Sequence, residues 1–456
     1  MAKEWIDELK KLLKDDQLST GKSVLEQNSR GESYNLSVLP DCVVFPESTE
    51  DVKTIMRFAY ENSIPVTPVA VNSSLEGHTT PIKKGISLDL MRMNRILEFR
   101  PEDLLIVCEP AVTYPQINDY CKRSGLFFPI DPGAHASIGG MIATNASGTA
   151  AVRYGVTADY ILALEVVTPS GEVIQSGSRA VKSSSGLSLN ALYAGSEGVL
   201  GVITKATIRL VGLPIAASSA RIGFKSIKEA SEYVTQIIQS GIPVARCELI
   251  DAASIAAVNA YKNTNYPEET TVFLEFHGNS AGLEYDLQLA EELSQNFDCS
   301  AFESSSDPEE RNKLWEARHS MYYAVVAKNA GKANITTDVA VPISKLAEII
   351  EASLAAFSNE GLNAYIVGHV GDGNFHLIIF YDEDDLAVEK RIKEISKKMV
   401  LHALELNGTS TGEHGVGVRK LAYMEAEHGA SLDVMRAIKK ALDPKNIMNP
   451  GKKIPL

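Results

Sequence analysis

The chain has 456 residues, a net charge of −14 and 45% hydrophobic content. That surplus of acid repels phosphate backbones and anionic headgroups, which argues against a nucleic-acid or membrane-surface protein. The composition is that of an ordinary globular chain, and the length favours two domains.

The opening segment MAKEWIDELKKLLKDD sets Trp5, Ile6, Leu9, Leu12 and Leu13 on one helical face among mixed charges, predicting a docked helix within an N-terminal helical segment 1–37. It lacks the apolar core of a secretory leader. Nothing along the chain approaches the ~20 apolar residues of a spanning helix, so no integral membrane segment and a cytoplasmic location are expected. Cys42, Cys108, Cys121, Cys247 and Cys299 are dispersed without a CxxC, which predicts reduced core thiols and no iron–sulfur cluster in this chain.

From about residue 40 strands and helices alternate: DCVVFP, a helix over STEDVKTIMRFAYENS started by Ser48 and Asp51, IPVTPVA, ISLDLMRMN and LLIVCEPAV. Tyr114-Pro115 opens a helix that ends at Gly125, and Pro169-Ser170-Gly171 joins two β segments of YILALEVVTPSGEVIQSG. Beyond Gly212-Leu213-Pro214 the helices SIKEASEYVTQIIQSG and YDLQLAEELSQNF lie among the strands ARCELI and TVFLEFHG, the pattern of a separate α+β domain. The expected domains are 1–213 (core 38–213), 214–414, and a helical tail 415–456 returning to the first.

Three stretches are built of small residues: PVAVNSSLEGH (68–78), FFPIDPGAHASIGGMIATNASGTAAVRYG (127–155) and GSEGVLGVIT (195–204). Such loops expose successive backbone N–H groups to phosphate oxygens, and three in one α/β region suggest a dinucleotide. No strand–GxGxxG–helix occurs, so the Rossmann fingerprint is absent. In HVGDGNFH a two-residue turn at Asp372-Gly373 would set His369 opposite His376, with Cβ atoms ~4.5–5.5 Å apart. Two imidazoles so placed can share a cation or simply form a polar pair. Glu413 and His414 sit between Gly412 and Gly415 in TGEHGVG, where extended backbone would point them apart. Two His and one Glu is also a hydrolytic-metal pattern, though that reading leaves the three Gly-rich loops unexplained.

DPGAHASIGGMIATNASGTAAVRYG, GSEGVLGVIT, TTDVAVPISKLAEII, HVGDGNFH, TGEHGVG and LDPKNIMNPGKK, in that order, resemble the FAD-linked 2-hydroxyacid dehydrogenases of the vanillyl-alcohol-oxidase type. Within them the likeness is to D-lactate dehydrogenases and the glycolate oxidase D subunit, and SLEGHTTP and TTDVAVPIS favour the cytochrome-linked D-lactate branch. The resemblance implies an α+β fold: a two-subdomain FAD-binding domain of PCMH type, an antiparallel-sheet substrate or cap domain, and a C-terminal helical tail. FAD would lie on Ala70, Val71, Asn72, Ser73, Ser74 and Gly77 of the first loop. The second stretch would contribute Pro132, Gly133, Ser137, Ile138, Gly139 and Gly140, then Asn145, Gly148, Tyr154 and Gly155. Glu197, Gly201, Ile203 and Asn449 complete the implied set.

Ala70 and Asn72 stand where relatives carry glycine. Asn tolerates a left-handed backbone, whereas Ala70 fits only with negative φ. Leu187 and Ser188 replace a Tyr-Asp of the family, and nothing in the sequence explains the change. A noncovalent FAD is implied, without a bond to His78.

The implied activity is oxidation of a small D-2-hydroxy acid, D-lactate favoured, to the 2-keto acid. Arg318 in LWEARHSMYY would clamp the substrate carboxylate, a divalent metal (zinc or manganese) would sit on His369, His376 and Glu413, and His414 would be the general base as hydride passes to flavin N5. Two alternatives accompany it: a glycolate oxidase FAD-binding subunit acting on glycolate or another 2-hydroxy acid within a complex, and a non-redox metal-binding subunit. The electron acceptor could be a quinone, a cytochrome, an electron-transferring flavoprotein or an iron–sulfur subunit, and homodimerisation is left open.

Overall fold

The computed structural model describes residues 4–32 and 36–456. The chain forms two compact units, and each is made of separate stretches. One comprises the residues through Gly148, Val156–Leu213 and Glu413–Leu456; the other comprises Thr149–Gly155 and Pro214–Gly412. Glu413 and His414 therefore belong to the first unit rather than to the 214–414 segment expected from sequence. The stretch 149–155, expected with the first, belongs to the second.

Two sheets make the two subdomains of the first unit. In the smaller, Leu18–Ser19, Cys42–Val44, Ile86–Asp89 and Val66–Val69 lie in that order, the last three parallel. Helix Thr49–Glu61 packs its apolar stripe against this sheet through Val52, Ile55 and Met56, all fully buried. Its start is fixed by Ser48, whose side chain accepts from Asp51 N. The larger sheet is antiparallel, in the order Ile96–Arg100, Leu105–Cys108, Val202–Arg209, Ile161–Val167, Val173–Gly177.

Helix Glu4–Lys11 docks as expected through Leu9, with Trp5, Ile6 and Leu13 packed on the same core. Leu12 departs from that face and is 55% exposed, because the helix has ended at Lys11 and the chain is turning. The tail reaches the smaller sheet, where Val66 N donates to Ile447 O and Asn449 N to Val66 O, each at 2.8 Å. The five cysteines are free thiols, four of them buried.

In the second unit an antiparallel sheet runs Glu303–Ser305, Ala216–Phe224, Thr270–Gly278, Val244–Ile250, Ala364–His369, Asn374–Tyr381, Ala333–Thr336. Val339–Ala340 pairs separately with Asn374–Tyr381. Helices Ala252–Lys262 and Pro308–Lys328 pack together on it, burying Trp315, Met321 and Val325 against Phe273 and Ile378. Among the described residues no helix is long and apolar enough to cross a membrane.

Candidate active site

The first unit contains a cavity of about 1310 Å³, its open mouth included, lined by the loop 68–75, by residues around helix Ile138–Thr144, by Glu197–Gly198, and by Glu413, His414 and Asn449. Ala70, Val71, Asn72, Ser73, Ser74, Pro132, Ser137, Gly139, Gly140, Gly201 and Ile203 face it as well. Asn72 takes φ 65° and Ala70 keeps φ out of the positive range, so neither substitution strains the loop. Asn72 also ties the loop down: its Nδ2 donates to Arg30 O at 2.9 Å and its Oδ1 accepts from Thr79 Oγ1 at 2.5 Å.

Other residues expected on FAD support the wall from behind. Ile138 is fully buried, Asn145 caps the helix in a left-handed conformation, and Gly148 is needed because an added Cβ would fall 1.6 Å from Asp131 O. Gly77 and Gly133, both with positive φ, do not line the cavity. Tyr154 and Gly155 belong to the other unit, where Tyr154 Oη is 2.9 Å from His277 Nδ1, so the structure gives these two a different environment from the one expected.

Two polar groups make the wall fit a ligand such as FAD. Ser74 Oγ and both ring nitrogens of His78 are shut from solvent without a hydrogen bond, which a phosphate-bearing cofactor would supply. His78 Nε2 is 3.4 Å from Glu197 Oε2 but without hydrogen-bond geometry. Glu197 itself is engaged by Val416 N (2.7 Å), Gly417 N (2.8 Å) and Lys453 (3.2 Å). Burial pushes its carboxyl up, but His78, Lys453 and these bonds more than offset that and hold it well below the usual range. Asn449 Nδ2 bridges His78 O (3.1 Å) and Glu197 O (2.7 Å), while Lys452 Nζ donates to its Oδ1. Burial pushes the Lys452 ammonium down to about 7.

The TGEHGVG loop is not extended, and Glu413 and His414 do not point apart: His414 Nε2 is 3.7 Å from Glu413 Oε1. The positive φ of Gly415, 78°, turns the chain straight after the histidine.

The second unit carries the histidine hairpin, with a register that differs from the one expected. His369 pairs with Asn374, Gly368 with Phe375 and Val367 with His376. A two-residue type I′ turn needs positive φ at both central positions. Only Gly373 (φ 80°) provides it, and residues Val370–Asp372 form a 3₁₀ turn instead. The imidazoles are diagonal rather than opposite, yet diagonal neighbours remain within reach. Their ring centroids are 5.4 Å apart at 79°.

Each ring is oriented through Nδ1, His369 by Glu248 Oε1 at 2.7 Å and His376 by Thr337 O at 3.0 Å. Carboxylate and carbonyl partners on Nδ1 are the arrangement that makes Nε2 the ligand atom in metal-binding histidines. The donor chemistry thus fits a divalent cation. Glu248, fully buried on strand Val244–Ile250, also accepts from Arg318 Nε (2.9 Å) and Nη2 (2.6 Å) on Oε2. Its burial raises the carboxyl pKa, and the charges of His369 and Arg318 bring it below the ordinary value.

Sequence reasoning singled out Arg318, His369 and His376 but not the Glu248 that Arg318 and His369 share, whose one signal is an acidic residue inside the apolar strand ARCELI. It also missed the role of Asp338. That buried carboxylate accepts from Asn374 Nδ2 (2.8 Å), Thr411 Oγ1 (2.7 Å) and Gly412 N (3.1 Å), fixing the backbone one residue before Glu413.

Comparison with known proteins gives two family matches: an FAD binding domain over residues 40–177 and the C-terminal domain of FAD linked oxidases over residues 213–453. The probable mitochondrial D-lactate dehydrogenase of Danio rerio is 40% identical, covering 97% of this chain and 90% of its own. The mitochondrial D-lactate dehydrogenase [cytochrome] of Arabidopsis thaliana is 39% identical, covering 100% and 81%. Glycolate oxidase subunit GlcD of Bacillus subtilis is 32% identical, covering 91% and 89%.

Among solved structures, p-cresol methylhydroxylase matches at TM-score 0.80 and 16% identity, covering 99% of this chain and 96% of its own. The 4-ethylphenol oxidase of Gulosibacter chungangensis matches at 0.79 and 18%, with the same coverage. These show a shared PCMH-type α+β fold. The expected cytoplasmic location is overturned, since the animal, plant and yeast relatives are mitochondrial by name. A search for an apolar core was no guide to location, because mitochondrial addresses are amphipathic rather than apolar.

Proposed function

The chain belongs to the FAD-linked D-lactate dehydrogenase and glycolate oxidase family, and from that premise we propose that it oxidises D-lactate to its 2-keto acid with metal assistance and His414 as the base. The observation that carries this reading is the shared Glu248, which binds Arg318 and His369 together and so supports a carboxylate clamp beside an imidazole that would ligate the metal. With Nε and Nη2 on Glu248, Arg318 keeps its remaining N–H donors for the substrate carboxylate. Glu248 thereby serves as the counter-charge that keeps the guanidinium in place before substrate arrives.

His369 and His376, through Nε2, and Glu413 would hold the cation. Two imidazoles and a carboxylate suit zinc or manganese. When bound, the cation supplies Lewis acidity that lowers the pKa of the substrate hydroxyl. Asp338 anchors the Gly412 amide, and Glu413 follows directly, so the third ligand starts from a fixed point. His414 takes the hydroxyl proton, and FAD supplies the hydride acceptor at N5. Ser74, His78 and the Asn72-braced loop would hold the cofactor, noncovalently. An external acceptor would take the electrons from the reduced cofactor. A cytochrome is favoured because plant and yeast relatives carry that word in their names.

Glycolate is the second substrate, supported by the GlcD relatives. One methyl group is worth ~1–3 kcal/mol of discrimination, so both can react at different rates. The test is anaerobic bleaching of the yellow protein by D-lactate, L-lactate and glycolate. D-lactate should bleach fastest and L-lactate should not bleach at all. A colourless protein that FAD cannot reconstitute, or equal rates with the two enantiomers, would refute the reading.

A further inference from the structure

Glu76, in the SLEGH segment, is fully buried and does not line the cavity, whereas His414 does. Its Oε1 is 3.4 Å from His414 Nδ1 and 3.8 Å from Lys420 Nζ, and its Oε2 is 3.5 Å from Arg419 Nε. Both carboxylate oxygens are shut from solvent, yet neither makes a hydrogen bond of normal geometry. A purely structural ion pair would draw a cation to ~2.7–2.9 Å, because a buried, loosely paired carboxylate is costly.

The backbone of Glu76 shows no such looseness. Its carbonyl accepts from Val418 N (2.9 Å) and Arg419 N (3.2 Å), which pins the residue against the loop just past His414. A carboxylate on a fixed backbone, behind an imidazole that lines the cavity and lies 3.7 Å from Glu413, stands where an orienting group of a general base stands.

We propose that Glu76 is a positioning residue for the oxidation: it accepts the Nδ1–H of His414 and so directs Nε2 toward the substrate hydroxyl. The inference rests on the reading of His414 as the base. In the step it serves, the substrate O–H bond breaks and its proton goes to His414 Nε2, while hydride leaves C2 for the flavin. Glu76 neither gains nor loses a proton. It holds the ring in one tautomer and faces the positive charge that the ring acquires. Arg419 and Lys420 keep the carboxylate ionised: burial raises its pKa, but His414, Lys420 and Arg419 together bring it below the ordinary value.

The experiment is a double-mutant cycle on the flavin-loaded protein, reading the rate of anaerobic flavin reduction by D-lactate together with KM, bound flavin and bound metal. Glu76→Gln is nearly isosteric but removes the charge and can present an N–H to Nδ1, forcing the wrong tautomer. It should slow reduction by about 10- to 100-fold with KM, flavin and metal content little changed. Added to His414→Asn it should cost nothing further, because residues that act as a unit are not additive. Glu76→Asp, which keeps the charge at a longer reach, should fall between and serves if the Gln variant fails to fold. Losses that multiply in the double variant, or Glu76→Gln as fast as the parent while His414→Asn is slow, would overturn the role of Glu76 alone. If His414→Asn were itself as fast as the parent, the base assignment and this inference would fall together.

Discussion

Replacing Gly412 by Ala tests whether the approach to Glu413 is as tight as the structure has it. The new Cβ would fall 1.4 Å from Asn374 Nδ2, 2.6 Å from its Cγ and 3.0 Å from Asp338 Oδ1. None of these is a flexible chain end. Asn374 is 6% exposed and its amide is bonded to the buried Asp338. If Asn374 swings away, a charge-assisted hydrogen bond worth about 1.5–3 kcal/mol goes with it. If the backbone of residues 411–412 moves instead, the Gly412 N–Asp338 bond is lost, and either route adds overpacking strain of about 1–3 kcal/mol. The sum is about 3–6 kcal/mol. Strain relieved through the loop reaches the next residue, Glu413, and at ~1.4 kcal/mol per factor of ten the metal affinity should fall about a hundredfold or more. Zinc or manganese titration, with a thermal melt alongside, reads both routes, and bound FAD should be unchanged. A variant with parental metal affinity and parental Tm would refute the argument.

His369→Ala and His376→Ala should each abolish bound metal and substrate-driven flavin reduction while leaving the flavin spectrum intact; full turnover in protein shown metal-free by elemental analysis would oppose this. Asn72→Ala keeps a β-carbon at φ 65° but loses the amide that makes this conformation tolerable and its bonds to Arg30 and Thr79, and should weaken FAD binding by about 10-fold or more, read by fluorescence titration of the apoprotein. Lys452 contributes to the pH dependence of stability. Its folded pKa of about 7 lies below the ordinary 10.5, so between those values the unfolded chain binds the extra proton and stability rises with pH. Below pH 7 the burial cost of the charged amine is fully present, of the order of 5 kcal/mol. Lys452→Met should therefore gain most in Tm relative to the parent near pH 6 and least near pH 10, and a difference independent of pH would count against it.

The sequence made visible whatever is written in local pattern. The small-residue loops, the Ser48 helix start and the change of character at Pro214 all depend on neighbours a few positions apart. Asn72 could be recognised as a stand-in for glycine because its chemistry decides its φ. Glu248, Asp338 and Glu76 could not be recognised, since each is a lone carboxylate whose meaning comes from partners far off in the chain: Arg318 and His369 for the first, Thr411 and Gly412 for the second, His414 for the third. The turn in HVGDGNFH was misjudged for a different reason. Asp-Gly favours the tightest hairpin locally, but Gly373 is packed so closely that an added Cβ would lie 2.0 Å from Val341 O, and a tertiary contact set the register.

The discontinuity of the first unit bears on how the protein is made. Strand Val66–Val69 is the edge of its sheet, and its outer side is met by residues 447–449. A nascent chain emerges at ~5–20 residues per second. Everything through Leu213 must therefore wait for tens of seconds, while the whole second unit is synthesised, before the segment that covers this edge exists. An uncovered parallel strand is a template for pairing with another chain. Through that interval the edge stays open, and the FAD cavity lacks its Asn449 and His414 walls.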